Sequence, residues 1–99
     1  MKIVVTGPAS DDINEIYEYY LKKVSLQIAK QEKSKIIKRF KILKDFPLSG
    51  QIENNEKFKG SDIRYLVQGS FKIVYKVEED IVIILSVFHT SQNPDKMSI

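Results

Sequence analysis

The hydrophobic pattern of residues 63–88 constrains the fold of this chain more than any other feature. Residues 63–68 and 71–77 follow a period of two, and Gln68-Gly69-Ser70 forms a turn between them. After an acidic turn, residues 81–88 are apolar on both faces apart from Ser86. A period of two indicates strands with one buried face, whereas an apolar strand with no polar face is typical of a sheet centre. The pattern predicts three antiparallel strands, with the last one buried.

The inward parity of this pattern places Tyr65 and Tyr75 in the core. The segment 47–62 shows no periodicity, and sixteen residues without a regular element are long for so small a domain. Loops of this length tend to carry function or to be mobile.

A short strand and a first helix are predicted at the start of the chain. Residues 2–6 are rich in β-branched side chains, and Gly7-Pro8 ends that run. Ser10 or Asp11 then supplies the helix N-cap, with acidic residues in the first turn, where the helix dipole favours them. Apolar residues recur at three- and four-residue spacing between residues 13 and 24, which predicts an apolar stripe facing the core.

A second helix is predicted from about Ser25 to Asp45, and Phe46-Pro47 stops it because the residue before proline avoids helical geometry. The order strand, helix, helix and three strands predicts an α+β domain. In this domain a helical hairpin packs on one face of a small, four-stranded antiparallel sheet. The 99 residues suffice for one hydrophobic core, so residues 1–99 are predicted to form a single domain.

Composition narrows the classes of function. The chain has no cysteine and one histidine, which excludes disulfides, thiolate metal sites and multi-histidine metal sites. We expect no metal and no cofactor. Neither a signal peptide nor a membrane helix is expected, since the apolar run at residues 3–5 is short and no later run approaches about 20 residues. The expected compartment is the cytoplasm.

Charge is unevenly distributed between the predicted helices. Residues 1–21 carry a net charge of −3, whereas residues 22–44, which include Lys38 and Arg39, carry +8. Such a block can attract RNA, DNA or an acidic protein, although a solvated helix face is the commoner explanation. We therefore treat Lys38 and Arg39 as candidate contacts for a target or partner.

One set of features, spread over about nine-tenths of the chain, matches the pattern of a known family. They are Ala9, Asp12 and Ile16 in the first helix, Pro47 and Gly50 after the second, Ile63-Arg64-Tyr65-Leu66-Val67, Gly69, Phe71-Lys72-Ile73-Val74-Tyr75, Val77, and Ile81 to His89. With these features the chain resembles the RelE/ParE family of bacterial type II toxins. The resemblance implies a plasmid-stabilisation toxin that arrests growth unless its antitoxin neutralises it.

Arg64 and His89 are the leading candidates for chemistry. In ribonuclease members of the family an arginine at the place of Arg64 helps to neutralise the scissile phosphate, but ParE-like members commonly carry it too. An ordinary ion pair is an equal alternative for Arg64. His89 lies where the last strand emerges, so it could serve as a general acid or base. A hydrogen-bonded histidine that caps the strand is the simpler interpretation.

Lys57 and Lys59 resemble lysines that RelE-like members use to activate the attacking 2′-hydroxyl, although two solvated loop lysines are the commoner explanation. Ser91 stands where many relatives have an arginine, and the tail after it contains no tyrosine. Loss of a cation beside the developing negative charge should slow cleavage. Both departures favour the ParE-like branch, a non-enzymatic inhibitor of DNA gyrase.

Two alternatives remain. One is a RelE-like endoribonuclease that cuts mRNA on the ribosome, with Arg64 on the phosphate and Lys57, Lys59 or His89 in proton transfer. The other is a degenerate, inactive family member. The resemblance implies an antitoxin partner in every case. We expect Leu66 and Val74 to lie on the sheet face without helices, where an antitoxin could bury them, as could a homodimer or a toxin–antitoxin heterotetramer.

Overall fold

The computed structural model describes residues 1–53 and 62–91 of the chain. Seven elements follow one another in this part. They are β1 (Lys2–Val5), α1 (Gly7–Lys23), α2 (Leu26–Asp45), β2 (Gln51–Ile52), β3 (Ile63–Gln68), β4 (Phe71–Glu78) and β5 (Ile81–His89). The predicted α+β order is confirmed. The segment predicted to lack a regular element contributes the two-residue strand β2, which pairs with β3.

The sheet has five strands in the order β1-β5-β4-β3-β2. Strands β2 to β5 pair antiparallel, and the predicted meander is therefore confirmed. The predicted antiparallel sheet under a helical hairpin is confirmed in its main part, but the sheet has five strands and not the predicted four. Strand β1 pairs parallel with β5, from Lys2 opposite Ile81 to Val5 opposite Ile84. Because β5 has a neighbour on each side, it is an interior strand, and its predicted burial is confirmed, but the central strand of the five is β4.

Helix α1 begins four residues earlier than predicted. Its N-cap is Thr6, and the predicted cap at Ser10 or Asp11 is wrong. The Thr6 hydroxyl accepts a hydrogen bond from the Ala9 amide at 3.2 Å and donates one to the Ile84 carbonyl at 2.9 Å. Pro8 fits here because the first turn of a helix needs no amide donor from it. The cap therefore anchors α1 to β5, and its first turn holds no acidic residue.

Helix α2 has the predicted bounds. Ser25 is its N-cap, and its hydroxyl accepts a hydrogen bond from the Ile28 amide at 3.1 Å. Both helices pack on one face of the sheet, which we call the helix side. The main core lies there and joins α1 and α2 to β3, β4 and β5. Its fully buried members include Ile36, Leu43 and Tyr75.

Two strand positions lie on the opposite faces from those predicted. Leu66 belongs to the main core on the helix side, with 9% of its surface exposed. Tyr65 lies on the other face and packs beside Val74 and Phe88. Alternation along β3 was correct, but both of its faces carry large apolar residues. Hydrophobicity alone therefore could not show which set points toward the helices.

A β-bulge interrupts the pairing of β4 with β5. Val74 lies opposite Ser86, whereas Tyr75 lies opposite Ile84, so β5 contains one extra residue. Asp12 of α1 satisfies the groups next to this bulge. Its carboxylate oxygen Oδ2 accepts hydrogen bonds from the Ser86 hydroxyl at 3.0 Å and from the Val87 amide at 2.9 Å. This contact fixes α1 over the end of β5 that leads to His89.

No helix within the described residues is long and apolar enough to cross a membrane.

Candidate functional site

Arg64, the leading candidate from the sequence, belongs to a group of polar contacts below the end of α2. One of its guanidinium nitrogens, Nη1, donates a hydrogen bond to the Gly50 carbonyl at 2.9 Å. The Tyr75 hydroxyl accepts from the Gly50 amide at 2.8 Å and donates to the Pro47 carbonyl at 2.8 Å. We call Pro47, Gly50, Arg64 and Tyr75 the Tyr75 cluster. It holds the segment after α2 against β3 and β4.

The phenol of Tyr75 keeps its proton to higher pH than a free tyrosine does. Burial raises the pKa of Tyr75 above 10, while the hydrogen bond from Gly50 and the charge of Arg64 partly oppose that rise. Gly50 is buried directly beneath this ring. A Cβ atom at Gly50 would overlap the Tyr75 hydroxyl and lie 2.8 Å from the Tyr65 carbonyl oxygen. The cluster therefore needs a glycine at position 50 for its close packing.

These contacts give Arg64 a definite structural role. The side chain is half-buried, and its Nη1 binds a backbone carbonyl of the same chain. The Arg64 guanidinium thus fastens β3 to the segment after α2, whatever else its remaining nitrogens contact.

His89 is the last residue of β5, as predicted. Its Nδ1 atom accepts a hydrogen bond from the Ser91 amide at 3.1 Å and lies 2.7 Å from the Ser91 hydroxyl. Its ring packs edge-on against Phe71, with 5.8 Å between ring centroids. Because a backbone amide can only donate, Nδ1 acts as an acceptor here. The prediction of a hydrogen-bonded histidine that caps the strand is confirmed.

The structure does not bring Arg64 and His89 together. Arg64 lies level with Tyr75 on β4, whereas His89 lies level with Phe71, four residues away along the same strand. Two strand spacings separate them as well, since β4 lies between β3 and β5. At ~3.3 Å per residue and ~4.8 Å per strand, their backbones are roughly 16 Å apart. The two side chains also make separate contacts, since Nη1 of Arg64 binds the Gly50 carbonyl and Nδ1 of His89 accepts the Ser91 amide.

Lys57 and Lys59 lie outside the described residues, as does the tail after Ser91. On α2, Lys38 is exposed and Arg39 is half-buried. The Nε atom of Arg39 is buried and has no hydrogen-bond partner in the part of the chain that the structure describes.

Neither of the two apolar candidates offers an open surface. The expectation that Leu66 lies uncovered on the face without helices is wrong, because it packs in the main core. Val74 does lie on the face without helices, as expected. It is nevertheless fully buried among Phe88, Tyr65 and their neighbours.

Sequence reasoning missed an ion pair on this second face. The Lys72 ammonium lies 2.6 Å from a Glu53 carboxylate oxygen, and both side chains are largely buried. The same ammonium lies 4.1 Å from the ring centroid of Tyr65 and 5.9 Å from that of Phe88. The sequence did indicate the position of Lys72, because Lys72 and Val74 are two residues apart on β4 and therefore share one face of the sheet. The partner could not be found because Glu53 lies in a segment without periodicity.

Comparison with known proteins agrees with this architecture. A profile described as ParE toxin of type II toxin-antitoxin system, parDE, matches residues 3–94. None of the curated proteins matches the chain. Among solved structures, the chromosomal ParDE TA system from P. aeruginosa matches with a TM-score of 0.76 and 22% sequence identity. The match covers 90% of this chain and 95% of that one. On the extent of the profile match, the chain belongs to the ParE toxin family of type II toxin–antitoxin systems.

Proposed function

We propose that this ParE-family toxin inhibits DNA gyrase and arrests growth by stabilising a cleavage complex between gyrase and DNA, without itself making or breaking a bond. The observation that carries the proposal is the separation of Arg64 from His89 on a scaffold that matches ParE over residues 3–94. A nuclease site needs its phosphate-binding and proton-transfer groups within hydrogen-bond reach of one phosphate. Arg64 and His89 do not approach each other in this structure, whereas Lys57 and Lys59, the other candidates for proton transfer, lie outside the described residues.

The local contacts of both residues support the same proposal. Arg64 binds the Gly50 carbonyl, and Nδ1 of His89 accepts the Ser91 amide. Ser91 also occupies the place where many relatives carry an arginine. Within the described residues, the end of β5 therefore carries one cation fewer than in those relatives, and a missing cation stabilises developing negative charge less.

A cognate antitoxin is the expected partner, because the family is defined by toxins that are paired with one. The neighbouring structure is itself a ParDE TA system. We propose that the antitoxin keeps this toxin inactive in the cell until it is removed. A toxin–antitoxin heterotetramer is one stoichiometry that this proposal includes.

Gyrase supercoiling tests this function directly. The purified chain, free of antitoxin, is titrated into a reaction that supercoils relaxed plasmid, and linear DNA is measured after protein denaturation. We expect loss of supercoiling and accumulation of linear plasmid. Protein that is folded and toxic in cells but leaves gyrase unaffected at high excess would contradict the proposal.

A companion variant separates gyrase inhibition from mRNA cleavage. Arg64→Gln removes the charge of Arg64 but keeps an N–H donor for the Gly50 carbonyl, so the fold should be disturbed less than by alanine. A ribosome-dependent nuclease that uses Arg64 on its phosphate should lose cleavage in this variant. Growth arrest that depends on Arg64 together with cleaved mRNA would favour the RelE-like alternative.

A further inference from the structure

We propose that this chain forms a twofold-symmetric homodimer through the outer face of its helical hairpin, the face of α1 and α2 that points away from the sheet. The proposal concerns assembly and does not depend on gyrase as the target. It rests on three features of that face: an exposed apolar line between the helices, an acidic row on α1 and a basic row on α2.

The apolar line is located by a contact between the two helices. The Lys33 ammonium lies 5.4 Å from the ring centroid of Tyr17, so these two positions face each other across the hairpin. Leu21 and Ile37 each follow one of these residues by one helical turn and therefore lie on the same side. Both are 37% exposed, and Leu26 at the start of α2 is 49% exposed. We call Leu21, Leu26 and Ile37 the helical seam.

Opposite charges flank the helical seam. On α1, Asp11, Glu15 and Glu18 follow one another at spacings of four and three residues and are all exposed. The same spacing on α2 brings exposed lysines to one face. These are Lys30, Lys38 and Lys41, with Ser34 between the first two. Residues at such spacings share one face of a helix, so α1 presents an acidic row and α2 presents a basic row. Each row ends at an exposed residue of the other sign, Lys22 on α1 and Asp45 on α2.

The two rows do not neutralise each other within one chain. Among the described residues, the ion pairs are Lys35–Glu32, Lys72–Glu53 and Lys76–Glu78. None of them joins the acidic row of α1 to the basic row of α2. Both rows are therefore available to another molecule.

A second copy of the chain satisfies both rows at once. Rotation by 180° about an axis along the helical seam places α1 of one protomer over α2 of its partner, and the reverse. This rotation keeps every residue at its own level along the seam. Because Tyr17 is level with Lys33 in an antiparallel hairpin, residues 11–18 are level with about residues 32–39. In the partner's basic row, Lys38 and Lys41 thus lie near the level of Asp11, and Lys30 lies near that of Glu18, whereas Glu15 faces Ser34. The two seams meet at the axis.

This chemistry fits a weak, salt-sensitive dimer. Exposed ion pairs are individually weak and are screened by salt, whereas the helical seam contributes only a few partly exposed side chains. We expect association in the micromolar range or weaker. Its dissociation constant should rise about tenfold or more when salt is raised well above the physiological level, since screening acts on every pair of the interface.

Charge-swapped variants, followed by sedimentation velocity of the antitoxin-free chain at low salt, test the dimer. Glu15→Lys with Glu18→Lys makes both rows basic, and Lys38→Glu with Lys41→Glu makes both rows acidic. Each variant alone should dissociate at concentrations where the wild type is dimeric. An equimolar mixture should form a heterodimer, because the acidic and basic faces are then complementary on both sides of the axis.

A matched control changes net charge without touching the helices. Asp62→Lys with Asp80→Lys alters the charge by the same amount as the α1 variant, at exposed positions outside the hairpin, and should keep the wild-type dimer. Circular dichroism verifies that every variant is folded. A wild type that stays monomeric to near-millimolar concentration at low salt overturns the proposal. A dimer that survives both charge swaps also overturns it. The same holds if the chain stays monomeric and its basic row binds a short DNA duplex added as an alternative partner.

Discussion

The Tyr75 cluster and the outer face of the helical hairpin use polar groups in opposite ways. In the Tyr75 cluster, the Tyr75 hydroxyl makes two hydrogen bonds in the interior, and Arg64 binds a backbone carbonyl. On the hairpin, acidic and basic rows face solvent and form no ion pair with each other. The first arrangement fixes the fold, and the second leaves charge available for association. Substitutions should therefore affect stability in the cluster and assembly on the hairpin.

The largest loss of stability is expected from Gly50→Ala. The added Cβ would overlap the Tyr75 hydroxyl and crowd the Tyr65 carbonyl, and a backbone carbonyl cannot rotate away. Forcing an extra carbon into a packed interior costs about 1–3 kcal/mol, and we expect about 3 kcal/mol or more here because backbone is involved. Urea unfolding followed by circular dichroism measures the free energy of unfolding.

Gly7→Ala is the matched control for this substitution. A Cβ atom at Gly7 meets nothing within 4 Å, and the residue lies in the first turn of α1. The change should be neutral or slightly stabilising, because alanine favours helix more than glycine does. Equal losses in the two variants would show that the packing at Gly50 does not limit stability.

Asp12→Ala should be the next most costly change, at about 2 kcal/mol. The carboxylate accepts hydrogen bonds from the Ser86 hydroxyl and the Val87 amide, and its removal leaves both donors without that partner. A hydrogen bond to a charged group contributes about 1.5–3 kcal/mol. Asp11→Ala is the control, because Asp11 is exposed on the same helix. Similar unfolding free energies for the two variants would contradict a role for Asp12 at the bulge.

Tyr75→Phe should cost about 1–2 kcal/mol. The ring still fills its place in the core, but the Gly50 amide and the Pro47 carbonyl each lose a hydrogen bond. A buried polar group left without a partner costs about 1–3 kcal/mol, and here only the Gly50 amide is buried, because Pro47 is half-buried and its carbonyl stays within reach of water. Tyr19→Phe is a suitable control, because Tyr19 is 59% exposed. An unfolding midpoint unchanged by Tyr75→Phe would argue against the cluster.

The sequence predicts the features that neighbouring residues determine, but not those that depend on contacts between distant segments. The bounds of α2 and the interior position of β5 were predictable, because local capping, proline and an apolar run determine them. The face of Leu66 was not, since both faces of β3 are apolar and only the helices distinguish them. The Tyr75 cluster was also hidden. Its contacts join Gly50 to Tyr75, 25 residues apart, through backbone groups that carry no sequence signal.

A smaller effect is expected at alkaline pH. Burial raises the pKa of Tyr75, and burial followed by the nearby Glu32 charge raises that of Tyr20. In the unfolded chain both phenols lose their proton near pH 10, but the folded chain holds it to higher pH. The stabilisation is complete below about pH 10 and is lost as pH rises through the folded values. Unfolding free energy should therefore fall above about pH 10, less steeply in Tyr75→Phe than in the wild type. If the unfolding free energy fell equally steeply with pH in the wild type and in Tyr75→Phe, the raised pKa of Tyr75 would be contradicted.

The smallest effect on stability is expected from Lys38→Glu with Lys41→Glu, although this pair should have a large effect on assembly. Both lysines are exposed and form no ion pair among the described residues, so the monomer should change by no more than about 0.5 kcal/mol. Reduced repulsion within the strongly basic α2 should make the change neutral or slightly favourable. Unfolding must be measured at concentrations where the wild type is monomeric, because association adds apparent stability. A loss comparable to that of Tyr75→Phe would mean that the lysines are needed for the fold, and the contrast between the two regions would fail.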